Sequence, residues 1–257
     1  MSLVPFSGRG KVSLAALSTI NGVRVPGPLR EVGNQSVVKL ALNEDRYKRK
    51  DWTSTAGGDR FSKRKGLSGT VEVTLFEQDT DYENVKLLLG GEKYTQEAVA
   101  RTEEVFTPTT LTVGDKFSLG GFNVGTAVIK DSAGTPTTLV EGTDYTLDAS
   151  GGFITLIDVS GLTGPLKRTV TPAASSYVKM LSAAEMEYFL LFDGYNIFAD
   201  GNPRVICQMF RLAPSLTQDF NLISEDDAEY PVTFDILADD TRDMAGPEGQ
   251  YGIYKMF

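Results

Sequence analysis

Apolar and polar residues alternate in two stretches near the start of the chain. A period of two residues places one set of side chains on one face of a β-strand, so each stretch is predicted to be a strand. Together with their connection, they predict a long hairpin arm over residues 37–76. The alternating apolar residues are Val38, Leu40 and Leu42 in the first stretch and Val71, Val73 and Leu75 in the second.

The connection between these strands, residues 45–65, is long and basic. It holds eight of the 25 basic residues of the chain, with Trp52 and Phe61 among them. Long connections without secondary structure are usually functional or disordered in compact domains, so we predict that this loop is a docking arm. A solvated, flexible loop on an acidic domain explains the same composition equally well. The predicted contact residues are Arg46, Lys48, Arg49, Lys50, Trp52, Arg60, Phe61, Lys63, Arg64 and Lys65.

Charge is divided unequally along the chain. The whole sequence has 25 basic and 34 acidic residues, which gives a net charge of −9. Residues 1–76 contain 13 of the basic and six of the acidic residues, so this segment is +7 and the rest is −16. Contacts that pair two different patches of identical copies can propagate into a filament. The asymmetry therefore favours head-to-tail association of this chain with itself.

The rest of the chain also shows mostly strand patterns, with plentiful Val, Thr, Tyr and Phe and Gly-rich turns. One short helix is predicted after Thr80, where a capping box with Glu83 precedes apolar residues at helical spacing and Gly90 can end the helix. Residues 188–192 form a continuous apolar run that periodicity assigns to neither helix nor strand. Further strands are predicted at residues 124–130, 145–147, 153–157, 204–212, 230–238 and 250–257.

A change in residue composition and pattern divides the chain into domains. From residue 107 to residue 176, charges are few, Thr and Gly are frequent, and short alternating runs follow one another closely. This pattern predicts a small, sandwich-like, β-rich insert domain over residues 107–176. The flanking segments, residues 1–106 and 177–257, are predicted to form the main β domain.

The search for catalytic and metal-binding chemistry is mostly negative. The sequence has no histidine and a single cysteine, Cys207, so Ser-His-Asp, Cys-His and zinc sites cannot be built. Asp239, Asp240 and Asp243 could hold a hard cation, although a solvated turn explains them better. We predict no cofactor, no metal and no enzyme activity. A glycosidase stays open as an alternative, since it needs only a pair of carboxylates and the chain has 34 acids. No feature of the sequence selects one such pair.

No apolar run approaches the roughly 20 residues that span a bilayer, and the first residues lack the long apolar segment of a secretory signal. We therefore expect no membrane association and folding in a cytoplasm.

Two stretches and the order of features carry a resemblance to a known family. Residues 71–75 lead into the helical stretch 79–91, and residues 142–148 read Gly-Thr-Asp-Tyr-Thr-Leu-Asp. A β-rich shell is interrupted by one short helix, a long charged loop joins two early strands, and a Gly/Thr-rich insert comes late. In these features residues 8–106 and 177–257 resemble the major tail tube proteins of long-tailed bacteriophages.

The resemblance implies a tail-tube-like β-sandwich or barrel with one short flanking helix and a small β insert. It implies a structural virion protein that self-assembles into hexameric rings, whose sheets join around a lumen and which stack into a hollow tube for DNA ejection. The long loop of this family reaches the neighbouring ring. The implied partners are other copies and other tail proteins, while DNA passes an acidic lumen without specific binding. The implied location is the virion tail, after assembly in the host cytoplasm.

Alternation also selects side chains for the predicted lumen, because polar positions lie opposite the buried face of each strand. Ordinary solvent exposure on a free sandwich explains these positions equally well. The lumen-facing candidates are Glu72, Thr74, Thr233 and Asp235.

Three other functions stay open. A receptor- or carbohydrate-binding β-module of a virion tail tip or adhesin would use exposed aromatic residues of the insert, such as Phe117 or Phe122. A hydrolase is the second alternative. The basic arm could also bind single-stranded nucleic acid by stacking bases on Trp52 and Phe61. The acidic pI argues against that reading, and a tryptophan fits a protein interface better.

Overall fold

The computed structural model describes residues 5–53, 55, 57–75, 81–215, 222–223, 225 and 228–257. The chain forms two compact units, Met1–Glu92 with Val178–Phe257, and Lys93–Tyr177. The second unit begins at Lys93 rather than at residue 107. The reason is that residues 92–106, which look like a polar connector in the sequence, contain two strands that pair within the fold.

Strands dominate the described part of the chain, so the predicted mainly β fold is confirmed. One short helix interrupts them. The bounds are β1 Gly8–Ile20, β2 Val23–Pro26, β3 Arg30–Glu31, β4 Gln35–Lys50, β5 Asp59–Leu75, α1 Glu83–Leu89, β6 Glu92–Gln96, β7 Arg101–Val105, β8 Lys116–Ser118, β9 Val124–Lys130, β10 Tyr145–Asp148, β11 Phe153–Leu156, β12 Lys167–Pro172, β13 Ser175–Lys179, β14 Tyr188–Asn196, β15 Arg204–Ser215, β16 Tyr230–Ile236 and β17 Gly252–Met256.

The larger unit is built on one antiparallel sheet with the order β2-β1-β14-β15-β16-β5-β4. β3 pairs with β1, and β17 pairs with β15. β16 and β17 lie one after the other along the same edge of β15, with residues 237–251 leaving the sheet between them. Within the described residues this path starts at β2 and stops at β4, so the predicted sandwich or barrel is an open sheet in the single chain.

The alternating face of β5 packs as predicted. Val71 and Val73 lie directly opposite Phe234 and Val232 of β16, and all four are buried in the main core. The apolar positions of β4 point to the same face, because they pair with β5 in register. They nevertheless stay exposed, and Leu42 keeps 73% of its surface in solvent. Alternation therefore identifies correctly which side chains of β4 share a face, but it does not predict that this face is exposed.

The ambiguous apolar run at residues 188–192 belongs to β14, in the middle of the sheet. Leu190 is buried in the main core on one face, whereas Phe189 packs with Ala15 and Phe210 on the other. A strand covered on both faces reads as a continuous apolar run, which is why no period is visible.

The helix α1 begins three residues after Thr80. Its N-cap is Tyr82, in the left-handed region with φ of 63°, and no side chain caps it. Thr80 of the predicted capping box lies outside the described residues. Gly90 ends the helix as predicted, with φ of 52° and its N–H donating to Lys86 O. No helix in the described part of the chain is long and apolar enough to span a bilayer.

The smaller unit holds two three-stranded sheets, β10-β11-β8 and β7-β12-β9, around its own apolar core. The strands predicted at residues 124–130, 145–147 and 153–157 are β9, β10 and β11. Asp131 is buried between two turns, where its carboxylate accepts hydrogen bonds from Thr137 N at 2.6 Å and Thr163 N at 3.3 Å. Backbone capping by aspartate thus holds the loops of this unit in place.

Candidate assembly interface

The hairpin β4–β5 extends well beyond the sheet that anchors it. The two strands pair with each other as far as Lys50 and Asp59, whereas β16 accompanies β5 only along Thr70–Leu75. Residues 43–68 therefore form a two-stranded ribbon, called the arm below. From Asn43 to Lys50 the arm spans roughly 25 Å at about 3.3 Å per residue.

Most of the predicted 45–65 loop is strand. Only residues 51–58 connect the two strands, and Ser54 and Ala56 among them lie outside the described residues. Every predicted contact residue of the arm is exposed. Because both faces of the ribbon meet solvent, the sequence there carries no apolar period, and its strand character could not be read from alternation.

Half of the basic side chains of the arm are paired with acids of the arm itself. Two guanidinium groups share the Glu44 carboxylate and lower the pKa of Glu44, mainly through the hydrogen bond from Arg64. These pairs lie in solvent, where ion pairs contribute little to stability. The pairs are Arg46–Glu44 at 2.8 Å, Arg64–Glu44 at 2.5 Å, Lys48–Asp59 at 3.6 Å and Lys65–Asp45 at 3.6 Å.

The other four basic side chains form no ion pair with any described residue, and they lie toward the tip of the arm. Trp52 at the tip is 85% exposed, and Phe61 contacts Tyr47 edge to face with 6.2 Å between ring centroids. Uncompensated cations beside exposed aromatic rings are typical of protein interfaces, where Trp, Tyr and Arg supply most of the binding energy. These free tip cations are Arg49, Lys50, Arg60 and Lys63.

The structure brings the predicted lumen residues together on one face. Glu72 lies directly opposite Thr233, and Asp235 lies one pair further along the same face, opposite Thr70. Asp235 is exposed, and Glu72 and Thr233 are half-buried. Thr74 shares the face but is only 4% exposed, so it is not accessible from the surface of the single chain.

This polar face carries both signs of charge. Lys39 lies directly opposite Glu72 in the β4–β5 ladder. Further across the sheet, Asp193 of β14 accepts two hydrogen bonds from Arg204, at 2.8 and 2.6 Å, and hydrogen bonding by Arg204 is the main cause of the lowered pKa of Asp193. Acids and bases therefore alternate along the face, where the sequence predicts an excess of acid.

Asp239 forms part of an arginine network. Its carboxylate is 1% exposed and accepts hydrogen bonds from Arg24 at 3.1 Å, Arg242 at 3.2 Å and the Thr241 hydroxyl at 2.7 Å. Burial alone would raise the pKa of Asp239, but the bonds from Thr241 and Arg24 outweigh it and the pKa is lowered. Arginine side chains therefore surround Asp239, one of the acids considered for a hard cation, and its burial corrects the solvated turn that the sequence favours. Among the described residues, no group of three or more acidic or cysteine side chains could hold a metal ion.

The aromatic residues proposed for carbohydrate binding are placed differently from one another. Phe117 is half-buried and packs edge-on against Phe106, with 6.4 Å between ring centroids. Phe122 is 47% exposed. Phe117 thus packs against the core of the smaller unit, and Phe122 is the more accessible of the two rings.

Comparison with known proteins adds a family but no activity. No curated protein matches this chain. A family model matches residues 5–255 and so covers nearly all of both compact units. The chain therefore belongs to the family described as Protein of unknown function UCP028589.

Proposed function

We propose that this chain is a structural subunit of a bacteriophage tail tube. In this proposal six copies form a ring, rings stack into a hollow tube, and DNA passes along the lumen without specific binding. The subunit works in the virion tail, together with other tail proteins. The observation that carries the proposal is the arm, a ribbon of roughly 25 Å that projects past the last strand of the sheet.

The arm needs a partner for physical reasons. A two-stranded hairpin without a further strand or layer is marginally stable in water, so an arm of this length gains order by docking. Its free tip cations require acidic groups that the arm itself does not supply. Outside residues 1–76 the chain carries a net charge of −16, so the body of another copy has the complementary charge.

The open sheet suggests how a ring could form. The outer edge of β4 has no strand partner among the described residues, and its exposed Val37 and Leu40 make it prone to pair with another chain. At the other side of the sheet, β2 and β3 cover only part of β1, so no strand of the described ranges lies on the outer edge of Gly8–Lys11. Pairing these edges between neighbours would join their sheets around a lumen.

The polar face with Glu72, Thr233 and Asp235 would then line the bore. Because Lys39 lies opposite Glu72 on this face, the proposed lumen is mixed in charge. A surface with alternating charges offers DNA no continuous row of cations, so little affinity arises from counterion release.

The test uses purified protein at rising concentration, examined by negative-stain electron microscopy and by light scattering after size exclusion. Wild type is expected to form rings and stacked tubes. Reversing Arg49, Lys50, Arg60 and Lys63 to Glu should leave single rings, because stacking depends on these cations. The matched control changes the paired cations Arg46, Lys48, Arg64 and Lys65 to Gln and should still stack.

Two results would contradict the proposal. A wild-type chain that stays monomeric at every concentration would exclude a tube subunit. Normal tubes from the Glu variant would exclude the arm from ring stacking.

A further inference from the structure

A groove opens where β5 leaves the sheet. β15 pairs first with β16 and then with β17 along one edge, but β5 follows only β16. From Thr70 toward Asp59, β5 no longer pairs with β16. A groove of about 300 Å³ lies between this part of β5 and β17. Its lining is mostly apolar and includes Leu40, Leu42, Leu67, Met209, Ile236 and Tyr254.

One wall of this groove is a free strand edge. Phe210 N donates to Tyr251 O, and Phe257 N donates to Arg204 O, so the odd-numbered residues of β17 direct their backbone groups at β15. The even-numbered residues direct theirs away from β15, and β17 has no second strand neighbour in the described part of the chain. The residues with outward backbone groups are Gly252, Tyr254 and Met256.

The chain's own β5 is poorly suited to fill the groove. Ile236 of β16 pairs with Leu212 of β15, and Gly252 of β17 pairs with Met209, three residues further along β15. Continuing the β16–β5 ladder in the same register would place Lys63 directly opposite Lys255. Like charges directly opposite each other destabilise a sheet, so the arm is repelled from β17. Neither lysine forms an ion pair within the described residues.

We propose that this groove takes an extended acidic strand from a second copy of this chain, which pairs with the outer edge of β17. Strand addition supplies main-chain hydrogen bonds, and alternate apolar side chains of the added strand would cover Met209 and Ile236. Its acidic side chains would lie between Lys63 and Lys255, and the body of the chain is acidic. The inference rests on the proposed self-assembly but concerns a contact other than the arm tip.

The single cysteine reports directly on this groove. Cys207 lines its floor, is half-buried and has a free thiol, whose pKa is raised by burial. At mildly alkaline pH, a maleimide reagent should label dispersed wild-type protein at least ten times faster than assembled protein, because the added strand covers the thiol. Equal labelling rates would overturn the proposal. A dilute monomer that is already protected would also overturn it, because the chain's own arm would then close the groove.

A backbone substitution tests the strand pairing itself. Tyr254→Pro removes an N–H that points away from β15, so the β15–β17 ladder is kept while one bond to the added strand is lost. In this variant Cys207 should stay reactive, and assembly should require at least tenfold more protein. Tyr254→Ala keeps the N–H and removes only a side chain of the groove lining, so Cys207 should still become protected on assembly and the loss should be smaller than in the Pro variant. Protection of Cys207 in the Pro variant at the wild-type level would refute strand addition.

Amide exchange gives a second measurement that does not depend on how Tyr254→Pro folds. In wild type, the amides of Tyr254 and Met256 should exchange freely in dispersed protein and become at least tenfold slower on assembly. Unchanged exchange would overturn the proposal.

The arm variant separates this inference from the proposed function. Reversing Arg49, Lys50 and Arg60 to Glu, while keeping Lys63 because it faces the groove, should stop stacking while Cys207 stays protected in the remaining rings. Rings in which Cys207 is fully reactive would refute the groove contact and leave the tube subunit intact. A chain that never self-associates would refute both.

Discussion

The two halves of the β4–β5 hairpin share one continuous ladder but differ in what covers them. At the base, Val71 and Val73 are buried against β16, so the ladder there is part of the core. In the arm, the same two strands continue from Gly69 toward the tip. Every described side chain there is exposed or half-exposed, and no third strand accompanies them in the part of the chain that the structure describes. Backbone pairing alone therefore does not tell a structural element from a docking element. The covering layer decides, and it makes the base a determinant of stability and the arm a surface for partners.

The largest expected difference between the two halves concerns aromatic truncation. Phe234 is fully buried against the base, so Phe234→Ala should lower the free energy of unfolding by about 3–5 kcal/mol. Phe61 is exposed in the arm, and Phe61→Ala should change that free energy by about 0.5 kcal/mol or less. Urea unfolding of the two variants measures both values. Comparable losses would mean that Phe61 is packed in solution and that the arm is not a solvent-exposed ribbon.

A second, smaller difference concerns ion pairs and pH. In the body, Asp239 is buried with Arg24, and Glu187 has a pKa lowered mainly by its hydrogen bond from Arg211. Arg24→Gln should cost about 1–3 kcal/mol at neutral pH, because a buried carboxylate loses a charged partner. Glu44 of the arm is paired in solvent, so Glu44→Gln should produce no measurable loss.

The sign of the pH effect follows from the lowered pKa values of Asp239 and Glu187. A carboxylate with a lowered pKa stabilises the fold above its unfolded pKa, and this contribution disappears as pH falls through the folded pKa. The gap in stability between wild type and Arg24→Gln should therefore be widest near neutral pH and narrow below about pH 4. Urea midpoints from pH 7 to pH 3 check this. A gap that widens in acid would contradict the role of the network.

The sequence predicts the parts of this fold in which one face is buried. The alternation of β5, the strands of the smaller unit and the end of α1 at Gly90 could all be read because burial or a left-handed residue leaves a local signal. The strand character of the arm could not, since neither of its faces is buried. The reading of residues 92–106 as a connector failed for a related reason, because β6 and β7 are short and mostly exposed.

The candidate site was only partly predictable, because its details depend on pairing between distant residues. The high density of basic residues in the sequence identifies the arm. It does not separate the free tip cations from the cations paired with Glu44, Asp45 and Asp59. That division follows from the register, which shifts at Asp45/Arg46 and again at Arg49/Lys50. The groove arises because β16 and β17 share one edge of β15, a feature of the tertiary structure with no local signature.

Removing the whole arm should also have only a small effect on the stability of the fold. Replacing residues 46–65 with Asn-Gly joins the paired residues Asp45 and Gly66 and leaves the base ladder and both cores untouched, and a two-residue turn of this type suits the twist of antiparallel strands. The thermal midpoint should shift by only about 2–4 °C, as for a change of about 1 kcal/mol in a chain of this size. Because the same variant lacks all free tip cations, it should form no stacked tubes in negative-stain images. A fall in the midpoint several times larger would show that the arm supports the fold of its own chain, and intact tubes would show that stacking needs another surface.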